Sequence, residues 1–253
     1  MEVDERQRVI LSQARTKGSV EVAGLATQLA VSSETIRRDL RLLESYGLLR
    51  RTHGGAYPVE SREYETTLAT RTNRHVPQKR RIAAAAAGLL GPAETVFIDE
   101  GFTPQLIAEA LPRDRPLTVL TASLATAQSM SARDNVTVLM LGGQVRGCSQ
   151  ATVGPWVSRM LSGFVIDVAY VGANGISREH GLTTPDPAVG EIKAQAMKAA
   201  RRKVFSGVHT KFGAVSFCRF ADFREFEAIV TDSDLPLAEA QRYARAGSHI
   251  LRV

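Results

Sequence analysis

Only two cysteines occur in the 253 residues, Cys148 and Cys218, far apart and without CxxC spacing. Their scarcity argues against a disulfide framework and against a zinc site, leaving two small buried thiols as the default. Long apolar runs are missing as well. The start, Met1-Glu2-Val3-Asp4, is acidic and polar, and no stretch approaches the length of a membrane span, so a cytoplasmic protein with no membrane partner is expected. No internal repeat is apparent. The alanine run Ala83 to Ala87 fits inside a helix from Gln78 to Leu90, flanked by Pro77 and by Gly91-Pro92. No cofactor and no metal is expected.

Positive charge is in excess, with a formal net charge of +6 at pH 7, which suits a polyanionic partner. Its position matters more than its total. Residues 1–58 hold nine Lys/Arg against seven Asp/Glu. Residues 59–81 add Arg62, Arg71, Arg74, Lys79, Arg80 and Arg81 against Glu60, Glu63 and Glu65. This second stretch reads as a linker that either tracks phosphates or, as its composition favours, stays solvated.

The densest signal runs from Val31 to Gly55. Ser32 can cap a helix by accepting from its orphan N–H groups, and Glu34 in the first turn suits the positive end of the helix dipole. Ile36, Leu40 and Leu43 recur at the spacing of one buried face, while Glu34, Arg37, Arg38 and Arg41 project elsewhere. Gly47 follows Tyr46 where a left-handed residue ends a helix, and Leu48 to Arg51 read as a strand turning at Gly54-Gly55. Upstream, Val22, Leu25, Ala26 and Leu29 mark a short amphipathic helix, joined to the next by Ala30-Val31. Ahead of it, Gln7 to Thr16 carries Val9, Ile10 and Ala14 on one side, and Lys17-Gly18 breaks the pattern. Three helices and a strand-turn wing make a winged helix-turn-helix, whose second helix enters a DNA major groove. Arg37 and Arg38 are the candidates for base-edge or phosphate contacts, and Ser33 and Thr35 for positioning contacts. Arg51, Thr52, His53 and Gly54 form the wing, where His53 is equally readable as a structural hydrogen-bonder.

This head resembles the DeoR-type transcriptional regulators, with their T-I-R-R-D-L recognition helix at Thr35 to Leu40 and their G-L-L-R-R-T-H-G-G-A wing at Gly47 to Ala56. The resemblance implies a sequence-specific regulator of a double-stranded DNA operator, most often a repressor of a carbohydrate operon.

From Thr95 onward short β-rich runs alternate with helical stretches: Val96 to Ile98, Thr118 to Leu120, Val136 to Leu141, Val168 to Val171, Val204 to Phe205 and Ala228 to Val230. Such alternation predicts parallel strands covered by helices, with ligands collecting beyond the carboxyl ends of the strands. Those ends carry Asp99, Glu100, Gly101, Phe102 and Thr103; Thr121, Ala122 and Ser123; Gly142 and Gly143; and Gly172, Ala173, Asn174 and Gly175. Glycine admits a close ligand, and helix N-termini offer unpaired N–H groups to an anion.

The same ends resemble the DeoR-type sensor domain, related in fold to ribose-5-phosphate isomerase, with its D-x-G-T-T, L-G-G, G-x-N-G-I and K-F-G motifs at Asp99 to Thr103, Leu141 to Gly143, Gly172 to Ile176 and Lys211 to Gly213. That implies a phosphorylated sugar as effector, with Lys211 as a cation for the phosphate. Glu191 and Lys193, in a helix after Gly181 to Pro185, are either part of this site or a solvated helix surface. Phe102, Glu100, Ala122 and Val208 depart from the family pattern and imply altered ligand chemistry.

The expected fold is therefore α/β: a winged helix-turn-helix at 3–58, a linker at 59–77, and a larger α/β sensor domain at 78–253. The expected protein is a homo-oligomeric regulator, dimer or tetramer, since repeated half-sites add avidity to a small head. The alternative is a sugar-phosphate isomerase-like enzyme with an accessory head, for which Asp99, Glu191 and Lys211 are the acid/base residue types.

Overall fold

The computed structural model describes residues 3–17, 19–45, 49–52, 54–58, 72 and 74–253. The helix-ending Gly47, the wing's Leu48 and His53, and most of the expected linker (59–71 and 73) lie outside them. The chain divides into two compact units, Met1–Tyr64 and Glu65–Val253.

The first unit holds helices α1 (Val3–Lys17), α2 (Val22–Leu29) and α3 (Ser33–Ser45) and strands β1 (Val20–Glu21), β2 (Leu49–Arg51) and β3 (Gly55–Pro58). Its core is what the periodicity predicts except at Val9, which is only half-buried and stands outside the cluster. Ile10 and Ala14 of α1, Val22 and Leu25 of α2, and Ile36, Leu40 and Leu43 of α3 are buried together, while Ala26 and Leu29 pack at the margin. Burying each of the larger side chains is worth about 1.5–3 kcal/mol. Ala30 takes a left-handed conformation (φ 52°) and donates its N–H to the Ala26 and Thr27 carbonyls, so α2 ends in one residue and α3 starts three residues on, at Ser33.

The sequence reading missed β1. It pairs antiparallel with β3, which also pairs with β2, so the wing is a three-stranded sheet. Gly55 makes the closure possible, because a Cβ there meets the Val20 carbonyl oxygen at 2.0 Å.

In the second unit, seven parallel strands form one sheet: β4 (Thr95–Ile98), β5 (Leu117–Thr121), β6 (Val136–Met140), β9 (Ile166–Val171), β12 (Ala200–Ser206), β14 (Ala228–Thr231) and β15 (Ile250–Arg252). Their spatial order is β15-β14-β12-β9-β4-β5-β6. Both faces are covered, which explains near-continuous apolar runs rather than alternation. One face packs Val96, Ile98, Val168, Tyr170, Val204 and Val230 against α4 (Val76–Ala87) and α5 (Phe102–Ala110). The other packs Phe97, Ala169, Val171, Phe205 and Ile229 with Ile192 and Ala196 of α8 (Pro187–Ala199). Helices α6 (Leu124–Ser131), α7 (Pro155–Leu161) and α9 (Leu237–Arg245) complete the set.

Several expected boundaries shift. The helix expected from Gln78 to Leu90 is α4, which begins at Val76 and ends at Ala87. The hairpin β7 (Gln144–Arg146) and β8 (Ala151–Val153), and the small sheet of β10 (Gly175–Ser177), β11 (Gly181–Thr184) and β13 (Cys218–Ala221), were not foreseen. Cys148 and Cys218 are only half-buried, against the expected buried thiols, because Cys148 lies in the connection between β7 and β8 and Cys218 opens β13.

Strand order fixes where a ligand fits. From β4 the chain steps outward to β5 and β6, then crosses back to β9 on the other side of β4 and continues to β12, β14 and β15. The connections leaving β4 and β9 therefore run in opposite directions and open a crevice at the carboxyl ends of those two strands.

Candidate DNA-reading face and effector site

Ser32 caps α3 as its position predicts. Its Oγ accepts the Thr35 N–H at 3.1 Å and lies 2.9 Å from the Thr35 hydroxyl, so both groups hold the first turn. Ser33 is half-buried beside it. Glu34 pairs with Arg41 and, at 3.4 Å, with Arg37, and the Arg41 hydrogen bond, more than Arg37, draws its carboxyl below the usual range. Arg38 is exposed and has no hydrogen-bond or ion-pair partner among the described residues. On the opposite side of the helix Asp39 is buried and accepts from Arg6 Nε at 2.6 Å, Arg6 Nη2 at 3.2 Å and Gln7 at 3.1 Å, fixing α3 to α1. In the wing, Arg51 is held by Glu44 through its side chain (2.6 Å) and its backbone N–H (3.0 Å). Thr52 and Gly54 are exposed, and the Gly54 carbonyl accepts the Val22 N–H at 2.9 Å.

The crevice of the second unit is built around one carboxylate. Asp99, first residue after β4, accepts the Gly172 N–H from the end of β9 at 2.9 Å through Oδ2. Lys193 of α8 donates to the same oxygen and to the Gly172 carbonyl at 3.2 Å, and its ammonium stands 3.9 Å from Glu100 and 5.8 Å from the Phe220 ring centre. Asp99, Glu100 and Lys193 are all buried, the lysine to 2% exposure. The two carboxylates offset part of the cost of burying that ammonium.

The remaining predicted positions separate into those the fold gathers here and those it does not. Gly101 (φ 112°) turns the chain into α5, whose first turn carries Phe102 and buried Thr103; the Phe102 ring lies 5.6 Å from the Lys79 ammonium. Ser123 is buried but engaged, its hydroxyl accepting the Thr126 N–H to cap α6. Asn174 accepts from the Thr184 hydroxyl at 3.3 Å, and Gly175 presses on the Ala214 carbonyl, which a Cβ would meet at 2.3 Å. Gly142 and Gly143 are exposed; Gly143 is required by contact with the Val153 carbonyl, a packing reason rather than a ligand. Glu191 is exposed on α8 and accepts from Ser158 at 2.9 Å, outside the cluster that holds Lys193 two residues later. Lys211 lies half-buried in the short turn His209–Lys211 after β12.

The DeoR-like helix-turn-helix model matches residues 6–62, and the model of the DeoR C-terminal sensor domain matches residues 74–233. The chain belongs to the DeoR family. A DeoR-family chain is a helix-turn-helix transcriptional regulator, which sets the isomerase-like enzyme reading aside. Among curated relatives, the HTH-type transcriptional regulator GlpR of Haloferax volcanii is 33% identical over 243 residues, 96% of this chain and 95% of that one. The HTH-type transcriptional repressor GlcR of Bacillus subtilis is 29% identical over 229 residues, 90% of this chain and 88% of its own. A solved ribose 5-phosphate isomerase from Plasmodium falciparum is a weak likeness, with TM-score 0.37 and 12% identity over 53% of this chain and 52% of that one, too slight to bear on function.

Within the DeoR motifs the structure separates roles that the letters run together. In T-I-R-R-D-L, Ile36 and Leu40 are core, Asp39 is the anchor to α1, and Arg37 and Arg38 face solvent. The anchoring role of Asp39 went unforeseen because its partner, Arg6, lies 33 residues away. Phe220 and the pair His209–Asp232 at the ends of β12 and β14 were also passed over. No helix among the described residues is long and apolar enough to cross a membrane.

Proposed function

We propose that this DeoR-family protein is a cytoplasmic, sequence-specific repressor of carbohydrate-metabolism genes that releases its double-stranded operator when a phosphorylated sugar binds the sheet crevice. The observation that carries the reading is the charged cluster of Asp99, Glu100 and Lys193 at the carboxyl ends of the strands, in a chain that also presents an exposed cationic helix. Asp99 and Glu100 are suited to accept from sugar hydroxyls. The half-buried Lys211 and the N-terminal turn of α5 at Gly101, Phe102 and Thr103 offer positive ends to a phosphate. Asn174 and the backbone of Gly172 and Gly175 border the same strand end. Arg38 and Arg37 read or grip the operator, with Ser33, Thr35, Thr52 and Gly54 positioned for backbone contacts. The repressor GlcR, similar over most of its length, supports the sign of regulation. Two heads in a dimer, or four in a tetramer, supply the avidity one head lacks.

An effector can act only by binding the DNA-competent and DNA-incompetent states with different affinity. Selection from random duplexes yields the operator, and gel-shift titration then measures it against a panel of sugar phosphates and the matching free sugars, ranked by thermal shift. The expected result is a sugar phosphate that stabilises the protein and weakens operator binding by about tenfold or more. A ligand that binds without changing operator affinity defeats the induction mechanism, and failure to select any consensus leaves only nonspecific DNA binding.

A further inference from the structure

A second set of polar side chains meets on the same carboxyl edge of the sheet, beyond β12 and β14. His209 follows β12, and Asp232 and Asp234 follow β14. Asp232 is fully buried, yet its carboxylate is surrounded by donors: the His209 N–H at 2.8 Å, His209 Nδ1 at 2.6 Å and the Asp234 N–H at 3.2 Å. Asp234 Oδ2 lies 3.9 Å from the same Nδ1 and accepts from the Gln78 amide at 3.1 Å. The three ligand atoms lie within 4.8 Å of one another. His75, at the start of α4, meets His209 edge to face with ring centres 5.4 Å apart.

We propose that His209, Asp232 and Asp234 bind a divalent transition-metal ion of the Zn2+ or Mn2+ class. Imidazole nitrogen with two carboxylate oxygens is a donor set of that class, whereas a calcium site draws on oxygen alone. Ligand atoms about 2.1 Å from a shared ion stand roughly 3 to 4 Å apart. The 3.9 Å separation already fits, and the 2.6 Å contact must open by about 0.5–1 Å when the ion takes the place of the imidazole proton. A second observation comes from the last residue of β12, three positions before His209. The Ser206 hydroxyl, buried to 2% exposure, has no hydrogen-bond partner among the described residues, and it shares the α4 face of the sheet with Val204, Val208 and Val230. A water carried by the ion gives that hydroxyl the partner it lacks. His75 is the candidate fourth protein ligand, and Gln78 orients Asp234 from the outer side. Bound there, the ion clamps the first turn of α4 to the ends of β12 and β14.

The test uses the full chain, stripped with chelator and titrated by calorimetry with Zn2+ and, separately, with Mn2+; Co2+ serves as a spectroscopic probe of imidazole ligation. One equivalent per chain is expected, with a rise in melting temperature. Asp234→Asn, at a half-exposed position that leaves the fold intact, should weaken binding of the metal by about tenfold or more, and His209→Gln should abolish both the Co2+ signature and the thermal shift. Absence of binding at 100-fold excess of metal, or equal affinity in wild type and both variants, overturns the proposal. Operator selection on the stripped protein fails only if the repressor reading fails, so the two proposals are tested separately.

Discussion

Both units bury an ion pair between distant segments, and the two pairs stand in opposite relation to function. In the head, Arg6 and Asp39 meet behind the recognition helix, so the charge inside the T-I-R-R-D-L motif locks α3 onto α1 and leaves Arg37 and Arg38 outside. In the sensor, Lys193 and Asp99 meet at the crevice itself, with Glu100 as a third charge. A ligand there must rearrange interactions that also hold β4, β9 and α8 together. On the proposed function, recognition by the head is separable from its stability, whereas recognition by the sensor is coupled to it. That coupling is what a switch requires, since only a ligand that changes internal interactions shifts a conformational equilibrium.

The largest effect should come from the sensor pair. Lys193→Met leaves buried Asp99 without its cation and should cost about 3–5 kcal/mol, read by urea unfolding of the sensor transition. Replacing Asp99 by Leu in the same chain should recover a large part of that loss, because removing both charges also removes the desolvation penalty. A cost under about 1 kcal/mol for the single variant means the crevice tolerates free charge, and the coupling argument fails.

The head pair comes next. Asp39→Ala strands Arg6 and should cost about 3 kcal/mol, the lower end for a broken buried pair, because the Arg6 side chain retains some access to solvent. Thermal melting by circular dichroism reads the loss, and operator affinity should fall equally for all sequences, since the whole helix is displaced. A change of base preference instead gives Asp39 a recognition role and erases the contrast with Lys193.

Legibility followed the same division. The recognition helix, its Ser32 cap and its Ile36, Leu40 and Leu43 face were readable because a cap and a helical period are local in sequence. The parallel strands were readable as apolar runs, but their order was not, and order decides that Asp99 and Gly172 meet. Lys193 stood as a helix residue of uncertain side; only the packing of α8 separates it from exposed Glu191, since its partner Asp99 lies 94 residues away. The hairpin β7–β8 and strand β1 escaped because two- and three-residue strands carry too little periodicity to register.

A smaller effect tests whether reading is separable from folding. Arg38 has no partner to give up among the described residues, whereas Arg37 is drawn to Glu34, so Arg38→Ala should weaken operator binding more than Arg37→Ala, by about 1–3 kcal/mol if it contacts a guanine. Neither substitution should move the melting temperature. Gel shifts on operators altered one base at a time distinguish loss of a single preference from uniform loss, which assigns the residue to phosphate. A fall in melting temperature equal to that of Asp39→Ala removes the distinction between the two sides of the helix.

The smallest effect contrasts surface carboxylates. Asp222 of the sensor accepts from the Arg224 side chain at 2.9 Å and its N–H at 3.0 Å, and these bonds, the side-chain one foremost, bring its carboxyl down to about 2. An unfolded aspartate titrates near 3.9. The stabilisation is therefore complete above that value and is lost as the pH falls through about 2, where folded and unfolded states carry the same proton. Asp222→Asn should destabilise the sensor by about 1 kcal/mol at neutral pH, after allowance for solvent screening, and by progressively less below pH 4. Glu34 of the head is also drawn down by its arginines, but it is far more exposed than Asp222, so Glu34→Gln should alter the pH dependence of unfolding much less than Asp222→Asn does. Urea melts of both variants from pH 2 to 7 measure the difference. Equal pH dependence in the two would mean that partial cover at Asp222 adds nothing, and acid sensitivity would then have to be sought in the buried pairs of either unit.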